Sequence, residues 1–340
     1  MDFFSPSQSL RRIFLAASLS LCAVPICFAI PSALLASPVS GEPPANASIR
    51  QDLIAGRANQ AISQLHQQLA VHSTDAAAHN LLCRVYLQEE RWPDAERECE
   101  QAVQLEPQKS DYHLWLGRAY GGAAAHSPIG SAYFLARKVH AEFETAIRLD
   151  PHNVSALSDL GEYQIDVPRL MGGGVDHAED TARQLAPLNP ARCHALLAKI
   201  AEKKSDFSTA EQEWKLAIQS SSHPADPWMG LAALYARQKN FTAMRQAIAS
   251  GAATPDPGDA LVVGATLLTD NHQNSRQAIQ LLQRYLASPR QSEDSPAFQV
   301  RVQLGKLLAS QGDQAAAQRQ YAMARAMASK YAPAWQAVSG

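Results

Sequence analysis

The stretch from residue 80 to residue 107 reads NLLCRVYLQEERWPDAERECEQAVQLEP, and its order of small and large residues recurs along the chain. The same order returns in YHLWLGRAY (112–120) continued by HAEFETAIRLDP (140–151). Each copy places small residues where two antiparallel helices approach closely and large residues where the gaps between them need filling. The sequence therefore predicts a repeated helical hairpin.

Eight positions carry this order in each copy. In the first copy they are His79, Leu82, Cys83, Tyr86, Ala95, Cys99, Ala102 and Pro107. In the second copy they are His113, Leu116, Gly117, Tyr120, Val139, Phe143, Ala146 and Pro151. These residues resemble positions 4, 7, 8, 11, 20, 24, 27 and 32 of the tetratricopeptide repeat (TPR) family. The resemblance implies an all-α fold, a TPR-like right-handed superhelical solenoid of stacked antiparallel helix pairs.

The register extends over residues 48–331 as about eight TPR-like repeats, and residues 332–340 form a C-terminal tail. The repeats begin near residues 42, 76, 110, 154, 191, 225, 259 and 298. Their mean length of about 36 residues is close to the family period of about 34. We expect each repeat to bury its apolar face only against its neighbours, with the last helix and the tail acting as a cap.

Two insertions interrupt the period, at residues 121–138 and 165–177. In the first insertion, the spacing of the apolar residues predicts a lengthened second helix. Ser127 followed by Pro128 is typical of a helix N-cap and first turn, so we expect this helix to begin there.

The second insertion contains Gly172, Gly173 and Gly174, which are expected to form a loop before the next helix. Asp176 is expected to cap that helix, with Glu179 as its reciprocal partner. Free backbone N–H groups at such a loop bind anions in other proteins, but the Lys-Ser/Thr of a phosphate-binding loop is missing. A shaped structural loop is the interpretation we favour.

Residues 1–36 have the layout of a secretory signal peptide. Arg11 and Arg12 precede an uncharged apolar run, and cleavage after Ala29 or after Ala36 fits the small residues there. An uncleaved anchor is the alternative. Residues 37–47 form a Pro-rich linker. The sequence thus predicts a protein exported to the periplasm or cell envelope, or secreted.

Removal of the signal leaves Cys83, Cys99 and Cys193. Cys83 and Cys99 lie at facing levels of one predicted hairpin, where a disulfide is geometrically conceivable. We favour the other interpretation, in which both are small apolar packing residues.

The balance of charge limits the kinds of partner. Thirty Lys and Arg against 32 Asp and Glu exclude a nucleic-acid binder that works through bulk charge. No catalytic or metal-binding motif occurs, so we expect no enzyme activity, no metal and no cofactor. His79, His113 and His194 are interpreted as core or rim residues, and Glu162 and Asp166 as solvated helix charges.

In the TPR family the first helix of each hairpin lines a concave surface. The resemblance places on this surface Asn80, Arg84, Arg118, Glu162, Lys199, Lys203 and Arg237. The five cations among these residues are suited to bind an extended acidic peptide or a terminal carboxylate. This arrangement is similar to the carboxylate clamp of some TPR proteins but departs from it at Leu114. Pairing of the cations with carboxylates on neighbouring helices is the alternative.

The sequence therefore predicts a non-enzymatic scaffold or adaptor that binds a protein or an extended, acidic peptide through the concave surface. The alternative is a ligand-binding or transport accessory protein, with a small-molecule site framed by the insertions at 121–138 and 165–177. Neither hypothesis includes a nucleic acid, and membrane contact is expected only through an uncleaved signal segment.

Overall fold

The computed structural model describes residues 44–339, and every regular element in this range is helical. The all-α fold is confirmed there. The predicted signal peptide and most of the linker lie outside the described residues. In chain order the helices of the first four hairpins are α1 (Pro44–Ile54), α2 (Ala58–Val71), α3 (Ala76–Gln88), α4 (Trp92–Leu105), α5 (Ser110–Ala125), α6 (Ile129–Leu149), α7 (Val154–Asp166) and α8 (Val175–Leu185). The others are α9 (Pro190–Lys203), α10 (Phe207–Ser220), α11 (Ala225–Arg237), α12 (Phe241–Ala252), α13 (Ala260–Asp270), α14 (Ser275–Ala287), α15 (Ala297–Ser310), α16 (Gln314–Met327) and α17 (Ala332–Ser339).

Helices α1 to α16 pair in sequence as eight hairpins, and each hairpin packs against the next. Small residues occur where the two helices of a hairpin are closest. At Gly117 in α5, an added Cβ would lie 2.5 Å from Cε1 of Phe143 in α6. The alternation of small and large residues in the sequence therefore reflects direct interlocking across each hairpin.

Most hairpins turn in the same way. In six of the eight hairpins of the described range, the second residue after the first helix has a positive φ; these residues are Gly56, Glu90, Ser205, Lys239, His272 and Gly312. The following N–H donates to the carbonyl five residues earlier, as from Arg91 to Tyr86 at 2.9 Å. This is the Schellman ending of a helix. The first helices that do not end in this way are α5 and α7, in the third and fourth hairpins, which carry the insertions.

The first insertion lengthens both helices of the third hairpin. Helix α6 has 21 residues, which confirms the predicted long second helix. The predicted cap was wrong: α6 begins at Ile129, and Pro128 occupies the N-cap position with no side-chain capping bond. Extended Pro128, with ψ of 151°, lies outside the helix, so Ser127 is one residue too early to cap it.

The second insertion forms a short 3₁₀ helix (Arg169–Met171) followed by the glycine loop. Helix α8 begins at Val175, two residues earlier than predicted, with Gly174 at the N-cap. The expected cap by Asp176 was therefore wrong. Asp176 instead lies in the first turn and accepts a hydrogen bond from Arg169 at 2.8 Å, while Glu179 accepts one from Lys204.

The two ends of the array pack against each other. One core cluster contains Ile49 and Leu53 of α1 together with Phe298 of α15 and Tyr331 beyond α16. Asn59 in α2 joins the seam by donating from Nδ2 to the carbonyl of Ala326 at 3.0 Å. The expectation that repeats pack only against their neighbours in sequence was wrong, because the eighth hairpin covers the first. The solenoid is a closed ring, and its last helices are part of the seam.

A pair of glycine substitutions tests the closure. Gly56 and Gly312 both adopt positive φ, but a Cβ at Gly56 would lie 2.6 Å from the backbone N of Ala297 across the seam, whereas nothing lies within 4 Å at Gly312. We expect Gly56→Ala to lower the free energy of unfolding by about 1–3 kcal/mol more than Gly312→Ala, because it adds a collision to the backbone strain. Small-angle X-ray scattering should show a larger radius of gyration for Gly56→Ala alone. Equal losses and equal radii would contradict the closed ring.

Candidate partner-binding groove

The first helices of successive hairpins pack against one another, as α3 does against α5 and α9 against α11. They therefore form the inner, concave layer of the ring, and the second helices form the outer layer. The side chains that the resemblance placed on the concave surface all belong to these first helices.

Each predicted groove cation pairs with a carboxylate of another element. The pairs are Arg84 with Glu293, Arg118 with Asp159 (2.6 Å), Lys199 with Glu162 (2.5 Å), Lys203 with Asp166 (3.8 Å) and Arg237 with Glu202. All but the first pair connect neighbouring first helices. The inner face therefore carries alternating charges rather than cations alone, and contact of these residues with a partner stays a prediction.

Arg118 and Asp159 form the most buried of these pairs, with side chains 10% and 6% exposed. Burial by itself lowers the pKa of Arg118, but the carboxylates of Asp159, Asp294 and Glu293 together raise it above its ordinary value. The guanidinium thus stays charged in the interior, where several carboxylates face it.

Trp115 lies between the two arginines of the second and third hairpins. The Cζ atoms of Arg84 and Arg118 lie 4.6 Å and 4.5 Å from the centre of its ring. An indole ring attracts a cation over its face, and it does so more strongly when water is excluded. The three side chains form one cationic surface on the concave side, which we call the arginine–tryptophan site.

The carboxylate at this site comes from a part of the chain that the repeat pattern did not include. Glu293 belongs to residues 288–296, the connection between α14 and α15, which we call the acidic loop. It accepts a hydrogen bond from Arg84 Nε at 2.9 Å and a second from Nη2. Arg84 therefore binds the Glu293 carboxylate in the bidentate geometry that a guanidinium group favours.

Other inner-face residues were missed although the register contains them. Arg192 and Asp226 occupy the second position of their repeats, a groove position in the family, and Arg192 donates to Ser158 at 3.1 Å. Burial raises the pKa of Asp226 to about 7, and the nearby Asp259 adds to the effect. Gln299, also at a second position, donates to the carbonyl of Gln88 at 2.7 Å. Comparison of the second position across all repeats would have identified these three residues.

Asn80 lies one helical turn before Arg84 and is 4% exposed. Its Nδ2 has no acceptor among the described atoms. A buried donor without an acceptor is rare in native proteins, so this position has hydrogen-bonding capacity left over.

The glycine loop has no free donors for an anion. The N–H of Gly174 donates to the carbonyl of Gln164 at 2.7 Å, and those of Gly172 and Gly173 donate to Arg169 and Pro168. The structural interpretation of this loop therefore accounts for all three N–H groups.

The two insertions are held together by Tyr163. Its hydroxyl lies 2.7 Å from the carbonyl of Ala136 in α6 and 2.7 Å from that of Met171 in the 3₁₀ helix. A cavity of about 260 Å³ occurs elsewhere, between the connection that follows α12 and the acidic loop. The small-molecule alternative at the two insertions stays a prediction.

The histidines at the fourth position of the repeat share one bonding pattern. Nδ1 of His79, His113 and His194 lies 2.6–2.7 Å from a glutamate of the second helix, respectively Glu98, Glu142 and Glu213. Burial lowers the pKa of His113, but its hydrogen bonds to Glu142 and to the carbonyl of Pro107 raise it more. The three side chains are 14%, 9% and 28% exposed, so they lie at the core or rim of their hairpins, as predicted. Within residues 44–339, no three side chains converge as a metal site requires.

Cys83 and Cys99 form a disulfide between α3 and α4. Our interpretation of them as separate packing residues was wrong. Both interpretations place the two sulfur atoms at the same level of the hairpin, so the spacing in the sequence does not distinguish a disulfide from simple packing. Cys193 is a free, buried thiol.

Substitution of the buried pair tests its energetic role. Arg118→Met leaves the Asp159 carboxylate buried without its partner, and we expect a loss of about 3–5 kcal/mol in the free energy of unfolding. Arg118→Met combined with Asp159→Leu removes both charges and should recover most of that loss. Urea denaturation of the three proteins measures this. A double variant that is no more stable than Arg118→Met would contradict the assignment.

Similarity to known proteins agrees with this architecture. The tetratricopeptide repeat family matches residues 52–120. Among solved structures, yeast Tom70 is 16% identical and has a TM-score of 0.53, with 92% of this chain and 66% of that chain covered. TTC0263, a TPR protein of Thermus thermophilus, is 16% identical with a TM-score of 0.47, covering 56% of this chain and 98% of its own.

PilW, a type IV pilus biogenesis factor, is 15% identical with a TM-score of 0.45, and 62% of this chain and 93% of that chain are covered. No curated protein matches the sequence. The match to residues 52–120 and the likeness to Tom70 show that this chain folds as a TPR-type α-solenoid.

Proposed function

We propose that this protein is a non-enzymatic scaffold or adaptor that binds a protein or an extended acidic peptide through its concave TPR surface. One observation carries the proposal: an acidic segment of the chain itself already lies on this surface, with Glu293 bound by Arg84. The surface is therefore built to hold a carboxylate presented by a non-helical segment. The TPR-type fold supports the same kind of partner.

The cations best placed to receive a partner lie on α9 and α11. The side chains of Lys203 and Arg237 are each 47% exposed, and that of Lys199 is 30% exposed. The carboxylates that pair with Lys199 and Arg237 are only 14% and 9% exposed, so a partner's carboxylate binds beside them, at the exposed part of each cation, rather than in their place. Arg118 is buried with Asp159 and offers little exposed surface. We place the partner's main contacts along Lys199, Lys203 and Arg237.

We also propose that the protein is exported to the periplasm or cell envelope. The charged and apolar order of residues 1–36 supports export. The Cys83–Cys99 disulfide supports it independently, because structural disulfides are typical of oxidising compartments.

Affinity capture with matched variants tests the partner surface. The wild-type protein, Lys203→Gln combined with Arg237→Gln, and Lys204→Gln serve as baits for envelope extract of the source organism. The captured protein is then titrated against each bait. We expect about tenfold weaker binding by the double variant, because two charge-assisted contacts are lost. Lys204, which pairs with Glu179 of α8, is the control and should bind like wild type. Equal binding by all three would contradict the proposed surface.

The proposed location has its own measurement. The protein isolated from its source should begin at Ile30 or Ser37 by intact mass, because cleavage follows Ala29 or Ala36. Under denaturing conditions without reductant, a thiol reagent should label Cys193 alone, since Cys83 and Cys99 are bonded. An uncleaved chain whose cysteines all react would contradict export.

A further inference from the structure

The acidic loop is the longest connection between hairpins. The first five connections have four residues each, as in 72–75 and 221–224, whereas the sixth is 253–259 and the seventh is 288–296. Four residues suffice to join one hairpin to the next. The extra length of the seventh connection carries the chain from α14 onto the concave face, as far as α3.

The loop makes two kinds of contact with α3. The carboxylate of Glu293 binds Arg84 with two hydrogen bonds, and the carbonyl of Glu293 accepts from Gln88 Nε2 at 3.1 Å. The side chains of Arg84 and Glu293 are 10% and 15% exposed. The loop thereby covers the arginine–tryptophan site with a carboxylate and with an extended backbone. These are the two groups that an acidic peptide offers.

The base of the loop is held separately from its tip. The N–H of Ser292 donates to the hydroxyl of Tyr285 at 3.0 Å, and that hydroxyl donates to the carbonyl of Ser295 at 2.7 Å. Ser292 Oγ donates to Asp259 at 2.7 Å. These bonds fix the conformation of the loop against α13 and α14. The contact with Arg84 is therefore not needed to shape the loop, and it connects the loop to α3.

We propose that the acidic loop is an intramolecular ligand that occupies the arginine–tryptophan site and competes with an acidic partner for Arg84. The inference rests on the proposed function and adds regulation to it. A partner with adjacent carboxylates binds this site only when Glu293 leaves it. The loop's own sequence, Ser-Glu-Asp-Ser at 292–295, indicates the chemistry of such a partner.

The polar character of the contact fits displacement. Apolar side chains of similar volume often stabilise a permanent seam as well as or better than a buried ion pair does. The nearby contact between the first and last hairpins is of that apolar kind, with Phe298 and Tyr331 in the core. Arg84 and Glu293 instead form a contact that another carboxylate reproduces bond for bond. Exchange therefore leaves the number of charge-assisted hydrogen bonds unchanged.

A labelled peptide tests the competition. Fluorescein-labelled SPRQSEDSP, the sequence of residues 288–296, is titrated by fluorescence anisotropy into wild type, Glu293→Gln and Glu179→Gln. Glu293→Gln weakens the internal ligand while leaving Arg84 in place. We expect it to bind the peptide about tenfold or more tightly than wild type, because the open site is populated more often. Glu179→Gln removes one carboxylate from α8, far from the loop, and should match wild type.

Two further variants separate competition from damage to the fold. Ser292→Ala loosens the base of the loop without changing either partner of the ion pair, and it should also tighten peptide binding. Arg84→Gln combined with Glu293→Gln should abolish the gain. Equal affinity of wild type and Glu293→Gln, or a gain that survives loss of Arg84, would overturn the proposal. These outcomes leave the capture experiment on Lys203 and Arg237 unaffected, so the two proposals fail separately.

Discussion

Packing of the eighth hairpin against the first is the constraint on which the rest of the structure depends. An open array of repeats exposes an apolar face at each end and needs polar caps to stay soluble. Here Phe298 and Tyr331 fill the face that Ile49 and Leu53 leave open, so each end caps the other. Closure also sets the width of the concave face. A single loop of nine residues then spans from the seventh hairpin to the second.

The closed ring divides its inner face into two electrostatic regions. Near the seam, the acidic loop and the first helices exclude water from Arg84, Arg118 and Asp159, so charges there must be paired. Farther along, at Lys203 and Arg237, about half of each side chain remains in water. The same residue types are thus enclosed in one region and open to solvent in the other.

The hairpins were predictable because their signal is local. The alternation that pairs Gly117 with Phe143 lies within one repeat and recurs in the others, so the sequence contains several copies of the same information. Closure has no such signal: Asn59 and Ala326 lie far apart in the chain and belong to no common period. The contact between Glu293 and Arg84 was not predicted for a related reason: Glu293 lies between repeats, where the register assigns no position. Arg192 and Asp226 were within the register and required only that its second position be read.

Ring closure and occupancy of the arginine–tryptophan site share residues, so they are energetically coupled. The side chain of Gln88 donates to the backbone carbonyl of Glu293, and the backbone carbonyl of Gln88 accepts from the side chain of Gln299. Gln88 thereby joins the loop to the seam. A ligand that replaces Glu293 therefore removes one of the bonds that hold the second hairpin near the eighth. A ligand shifts an equilibrium only by its difference in affinity for the two states. An acidic partner that binds the vacated site favours the state in which the loop is released, and by reciprocity a loosened seam favours the partner.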